Sequence, residues 1–196
     1  MTASRPSPLG LTASGNQRIY QLKVTLRYIR PPIWRRLQVF GSTSLFELHD
    51  ILQVVMGWEN EHLYEFEIGR SRYGEADPDW GVDVLDAADA KLSQVAGREK
   101  AKLRYIYDMG DHWEHEILVE KILPPEPGKR YPVCLTGKRA CPPEDCGGAW
   151  GYSELLEVLK DPNHEEYEDR VEWLGEEFEP ETFVVAEVNR LLSSTL

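Results

Sequence analysis

The sequence is short of cysteine, of long apolar runs and of positive charge, and each shortage removes a class of protein. Three cysteines are too few, and odd in number, for a disulfide framework; they fit a reducing compartment with free thiols or a metal. No apolar stretch approaches the roughly 18 residues a membrane span needs. No apolar h-region follows a basic start, so a signal peptide is not expected. The expectation is a cytoplasmic protein with no membrane partner. Lys and Arg number 22 against 34 Asp and Glu, a net charge of −12, the reverse of the balance a DNA-binding domain usually shows. Recognisable catalytic signatures are missing as well. There is no Gly-x-Ser-x-Gly elbow, no phosphate-binding Gly-Lys-Ser/Thr loop, no His-Glu-x-x-His and no dinucleotide fingerprint.

What is present is enough apolar and aromatic side chain, 41% and 10% of residues, to build a core, which argues against global disorder. Residues 1–16 are rich in Ser, Pro, Gly and Thr without periodicity and read as a flexible lead-in. Residues 17–196 read as one domain, with acidic helices from about residue 151. Tyr20, Leu22, Val24, Leu26 and Tyr28 alternate with polar residues, the pattern of a half-buried strand. After Pro31-Pro32, Ile33–Phe40 reads as its partner, with Ile33, Arg35, Leu37 and Val39 on one face. Ser44 with Glu47 is a capping box opening a helix that runs to about Gly57. His62, Tyr64, Phe66 and Ile68 mark a third strand. Residues 70–88 read as a loop, with a short helix near 88–96.

A hairpin follows. Leu103, Tyr105 and Tyr107 lead into Asp108-Met109-Gly110-Asp111, where glycine would supply the positive φ. The return strand sets Trp113, His115, Ile117 and Val119 on one face and His112, Glu114 and Glu116 on the other. Residues 123–148 read as irregular. Helices are expected at about 151–160, at 164–174 ending at Gly175, and at 180–193 opening at Pro180. Strands first and helices last give an α+β class: a bent antiparallel β-sheet, one helix inserted after the first hairpin, and a C-terminal group of helices.

Four groups of residues offer chemistry. Cys134, Cys141 and Cys146, with His115 as the fourth ligand (His112 and His164 being alternatives), form a candidate Zn²⁺ set; the plain alternative is buried free thiols under a long loop. Asp108, Asp111, His112 and His115 could hold a metal or run acid–base chemistry, or simply stabilise a turn and a core. His49, His62 and His115 could converge, since His62 and His115 each fall on the apolar face of a strand. Glu144-Asp145 offers paired carboxylates, or a cap for the helix near Trp150, or acceptors for loop amides.

Charge is unevenly placed. Residues 1–40 hold seven basic and no acidic residues, and residues 161–196 hold eleven acidic and two basic, a net −9. The basic segment over 18–36 could attract phosphates; the plainer expectation is that it meets the protein's own acidic tail or is solvated.

Several long motifs occur in order: Arg30-Pro31-Pro32-Ile33-Trp34-Arg35-Arg36, Met56-Gly57-Trp58, His62-Leu63-Tyr64-Glu65-Phe66, Tyr105-Ile106-Tyr107-Asp108-Met109-Gly110-Asp111-His112-Trp113-Glu114-His115, and Ala140-Cys141-Pro142-Pro143-Glu144-Asp145-Cys146-Gly147-Gly148 followed by Gly151-Tyr152. Together they resemble the plasmid pRiA ORF-three-like family, also labelled TnpR-like passenger proteins of insertion elements, over about residues 18–175. Met109 stands where that family often has Phe. The resemblance implies an α+β fold with a strongly bent sheet and no settled activity. It does not bring recombinase chemistry, which would need an activated Ser among clustered Arg and a basic DNA-binding module.

The leading expectation is a non-catalytic binding or accessory protein that acts on a protein partner, with its acidic helices as one candidate surface. The alternative is a metal-dependent hydrolase or nuclease using Asp108, Asp111, His115 and His62. A third reading is a DNA-binding accessory factor acting through Arg27, Arg30, Arg35 and Arg36.

Overall fold

The computed structural model describes residues 18–75, 84–175 and 178–195. The lead-in expected for residues 1–16 lies outside the described residues, as does part of the 70–88 segment.

The chain runs β1 (Ile19–Leu26), β2 (Trp34–Phe40), α1 (Leu45–Met56), β3 (Tyr64–Ile68), β4 (Ser71–Gly74), β5 (Val84–Asp86), α2 (Leu92–Val95), β6 (Lys102–Tyr107), β7 (Trp113–Leu123), β8 (Val133–Lys138), α3 (Gly148–Lys160), α4 (Tyr167–Leu174) and α5 (Val185–Thr195). This is the expected α+β class. One sheet has the order β5-β4-β3-β6-β7-β1-β2-β8, with antiparallel neighbours throughout except the parallel pair β4/β5.

Period-two alternation gives the sheet two unlike faces. On one, Leu22, Val24, Leu26, Leu37, Val39, Tyr105, Trp113, His115, Ile117 and Val119 are buried. Helix α1 covers this face with Leu48, Ile51, Leu52 and Val55. Its start is the expected capping box: Glu47 N–H donates to Ser44 Oγ at 3.1 Å, and Ser44 N–H donates to the Glu47 carboxylate at 2.7 Å. Gly57 closes it in the left-handed conformation, φ 93°.

The opposite face is charged, and its charges pair across strands. Arg104 reaches Glu67 and Glu114, both at 2.6 Å. Arg27 also pairs with Glu114, and Arg36 holds Glu120 at 2.7 Å. Arg27 and Arg36 of the basic entry hairpin therefore meet glutamates of β7, while Arg30 lines a cleft with Glu179 and Glu181 of the tail. Arg35, on the inner face, is buried: its guanidinium donates to the carbonyls of Val55, Trp34 and Lys138 and lies 3.9 Å from the Phe183 ring centroid.

Four expectations need correction. The 70–88 segment contains β4 and β5, too short to show alternation. In the hairpin turn, Asp108 (φ 57°) and His112 (φ 55°) hold the left-handed backbone rather than Gly110. Asp tolerates that region because its carboxylate satisfies the turn, and Asp108 Oδ1 accepts from Gly110 N–H at 2.8 Å. The 123–148 segment contains β8, whose Gly137 leaves room for Phe183 and the Arg35 side chain where a Cβ would stand. Helix α5 opens at Val185, because the Pro180 carbonyl accepts from Ala140 N–H at 3.0 Å and holds that stretch outside the helix. Asn189 of α5 then caps the outer edge of β8, accepting from Cys134 N–H at 2.8 Å and donating to its carbonyl at 2.9 Å. That removes edge groups which could otherwise pair with another strand. No helix among the described residues is long and apolar enough to cross a membrane.

Burial alone would raise the Glu114 carboxyl, but hydrogen bonding and charge from Arg104, together with Arg27, hold it below its ordinary value. The bond from Arg36 does the same for Glu120. A lowered folded-state value stabilises the fold above the ordinary carboxylate range, and this contribution is lost as pH falls through the lowered value. The melting-temperature gap between the native protein and Glu120→Gln is therefore expected to shrink between about pH 7 and about pH 3. A gap constant across that range would contradict the cross-strand pairing.

Candidate metal centre at the hairpin end

Three separate segments converge where β6 ends. Asp108 leads into the hairpin turn and is buried. His62 precedes β3 and is fixed alongside, because Asp108 N–H donates to the Leu63 carbonyl at 2.9 Å. The imidazole stands edge-on to Tyr107, centroids 5.8 Å apart. The third segment is the 139–147 loop, which delivers Glu144 and Asp145.

The resulting geometry is tight. His62 Nε2 lies 3.9 Å from Asp108 Oδ2, 3.9 Å from Glu144 Oε2 and 3.5 Å from Asp145 Oδ1. Among the described residues, His62, Asp108 and Asp145 are the one group whose ligand atoms all lie within 4.8 Å of one another. Asp108 and Asp145 both hold positive φ, 57° and 56°, a conformation that persists only when surroundings enforce it. Asp145 is 73% exposed, so the cluster opens to solvent on one side.

Asp108 and Glu144 are oriented by further bonds. Glu144 Oε1 accepts from Tyr107 O–H at 2.8 Å and from Glu59 N–H at 3.0 Å, leaving Oε2 toward His62. Burial, the bond to Glu144 and the nearby negative charge raise the Tyr107 phenol, so it stays a donor. The loop is clamped from both sides. Trp58 Nε1–H donates to the Pro142 carbonyl at 3.1 Å, and Asp111 Oδ2 accepts from Gly147 N–H at 3.1 Å. A Cβ on Gly148 would overlap the Asp111 carbonyl, and one on Gly151 would overlap the Cys146 carbonyl.

Behind His62, a buried network fixes the α1–β3 connection. His49 Nε2 meets Asn60 Oδ1 at 2.6 Å, and Nδ1 meets Tyr105 O–H at 2.8 Å. An amide oxygen only accepts, so Nε2 donates and Nδ1 accepts from the phenol. Gln53 donates to the same phenol oxygen at 2.9 Å. Burial pushes the His49 imidazole down to about 4, so it is neutral. The network pins Asn60 at φ 62°, two residues before His62.

The groups expected from sequence are thus divided. His62 and Asp108 come together. Asp111 is spent on Gly147. His115 is fully buried against Trp58 and Tyr105, and burial lowers it to about 4. His49, His62 and His115 do not share a pocket. His164 accepts from Glu166 N–H. Cys134, Cys141, Cys146 and His115 do not form a ligand set within the spacing that joins His62, Asp108 and Asp145. Burial raises the Cys134 and Cys141 thiols, and the buried Arg35 guanidinium, which offsets this only in part, is a poor neighbour for a second cation. Burial raises the Cys134 and Cys146 thiols to about 11 and about 12. Of the three uses open to Glu144-Asp145, acceptance of a loop amide is realised by Glu144, and neither residue caps α3. The signal for their approach to His62 was the glycine pattern after Cys146, which permits the loop to lie against the hairpin.

Replacing Gly148 with Ala sets a Cβ against the Asp111 carbonyl and forces that loop off the turn. A loss of about 1–3 kcal/mol in urea denaturation is expected, the usual cost of overpacking; unchanged stability would contradict the clamp.

The chain is similar to known proteins along most of its length. It is 42% identical over 158 residues to the uncharacterized protein y4hQ of Sinorhizobium fredii (strain NBRC 101917 / NGR234), covering 80% of this chain and 81% of that one. It is also similar to the crystal structure of a protein of unknown function, MM3350, from Methanosarcina mazei Go1. There the TM-score is 0.79 at 44% identity, over 87% of this chain and 97% of that chain. Residues 18–187 match the family described as plasmid pRiA4b ORF-3-like protein. The clamped hairpin and its motifs are carried by a chain that belongs to the plasmid pRiA4b ORF-3-like protein family.

Proposed function

We propose that this protein works by binding, and that its binding centre is a divalent cation held by His62, Asp108 and Asp145 with Glu144 alongside. One observation carries the reading: a single imidazole nitrogen stands within 3.9 Å of three carboxylate oxygens supplied by two different segments. Three carboxylates so close repel one another, and a divalent cation relieves that repulsion. Oxygen donors with one imidazole suit Mn²⁺ or Mg²⁺, and Zn²⁺ accepts the same donors. The open side beside Asp145 leaves coordination positions for water or for an anionic group on a partner.

A metal-dependent hydrolase is the second reading. It is favoured by that same open side, where a bound water would be activated. It keeps His62 and Asp108 from the set expected for catalysis and loses Asp111 to a structural bond and His115 to burial in the core. DNA binding through the entry hairpin has less support, because Arg27 and Arg36 are paired within the chain and Arg35 is buried.

Titration calorimetry with Mn²⁺ tests the proposal. One bound ion per chain is expected, weakened at least about tenfold in Asp108→Asn and in His62→Gln and retained in Cys141→Ser. No binding, or binding indifferent to Asp108, would overturn it. Hydrolysis of bis(p-nitrophenyl) phosphate that needs both Mn²⁺ and Asp108 would replace it with the hydrolase reading.

A further inference from the structure

Helix α4 buries none of its residues. Its apolar side chains Tyr167, Val171 and Leu174 recur at i, i+4 and i+7, so they form one stripe. That stripe lines an open cleft completed by Leu159 of α3 and by Phe178. Val171 is 41% exposed. Glu172 and Glu179 also line the cleft.

We infer that this cleft is a docking site for a basic amphipathic helical segment of another protein. Charge complementarity chooses the occupant. Residues 161–196 carry a net charge of −9, and Arg170, one of their two basic residues, is already engaged by Glu166 at 3.0 Å. A second copy of this chain would bring −9 against −9. Its basic hairpin offers little in exchange, because Arg27 and Arg36 are held by Glu114 and Glu120. Nucleic acids and anionic lipid surfaces are repelled by the same field. A helix with apolar anchors at i, i+3 or i+4, and Lys or Arg on its flanks, meets both features at once. The inference stands independently of the cation centre, which lies on other elements.

The test uses the full chain and a fluorescein-labelled synthetic peptide of about 18 residues, long enough for a helix, with Leu and Lys in amphipathic order. A scrambled peptide of the same composition is the control. Anisotropy is expected to show the ordered peptide binding at least about tenfold more tightly than the scrambled one, with affinity falling as salt rises. Val171→Ser, at an exposed position, is expected to reduce binding about tenfold while leaving the circular dichroism spectrum and the Mn²⁺ affinity unchanged. The double reversal Glu172→Lys and Glu179→Lys is expected to do the same. Equal binding of the two peptides would show diffuse charge attraction only and overturn the site. So would insensitivity to Val171→Ser, or tighter binding to vesicles containing phosphatidylserine than to the ordered peptide.

Discussion

The contact between the 139–147 loop and the β6–β7 turn is the joint on which the candidate centre depends. It is made by Asp111 accepting from Gly147 N–H and by Gly148 lying against the Asp111 carbonyl. Without it, Glu144 and Asp145 would sit on a loop with no reason to face His62. The turn can receive the loop because Asp108 and His112 take the left-handed backbone. The loop can approach because glycine removes side chains where the two backbones meet. Trp58 fastens the same loop from α1's end, and the Tyr107 phenol fastens Glu144. Each of these bonds is ordinary in strength; their effect is to place three carboxylates around one imidazole.

The sheet beneath supplies the rigidity that the joint needs. One face is closed by α1 and by packed aromatic rings, His49 stacked on Tyr64, and Tyr64 and Phe66 tilted against Tyr105. The other is held in register by arginine–glutamate pairs that cross from strand to strand. Such pairs contribute through mutual arrangement more than through individual strength, since partial exposure screens them. They also engage Arg27 and Arg36 of the entry hairpin. The acidic C-terminal part is offset only in part, by Arg139 on Glu181 and Arg170 on Glu166, and its residues 161–196 keep a net charge of −9.

The strands around the core were legible because burial on one face imposes alternation. Tyr20 to Leu26, Tyr105 to Tyr107 and Trp113 to Val119 all follow it. Helix α1 was legible from Ser44 and Glu47, a local exchange of hydrogen bonds that needs no distant partner. Strands β4 and β5 were hidden because they are short, and β8 because it is an edge strand whose pairing is decided by its neighbour rather than by its own composition. The site was half visible. Asp108 and His62 stood out by residue type, but their meeting with Asp145 depends on a long-range fit between a turn and a loop. Periodicity carries no record of such a fit. The cysteine spacing pointed toward a metal set elsewhere, whereas burial holds the Cys134 and Cys141 thiols above their ordinary value.

The most direct measurement of the central claim is anomalous scattering from a crystal of the protein soaked in Mn²⁺. The account predicts a single strong peak at about 2.0–2.3 Å from His62 Nε2 and from carboxylate oxygens of Asp108 and Asp145. A peak among Cys134, Cys141 and Cys146, or none near His62, would contradict it.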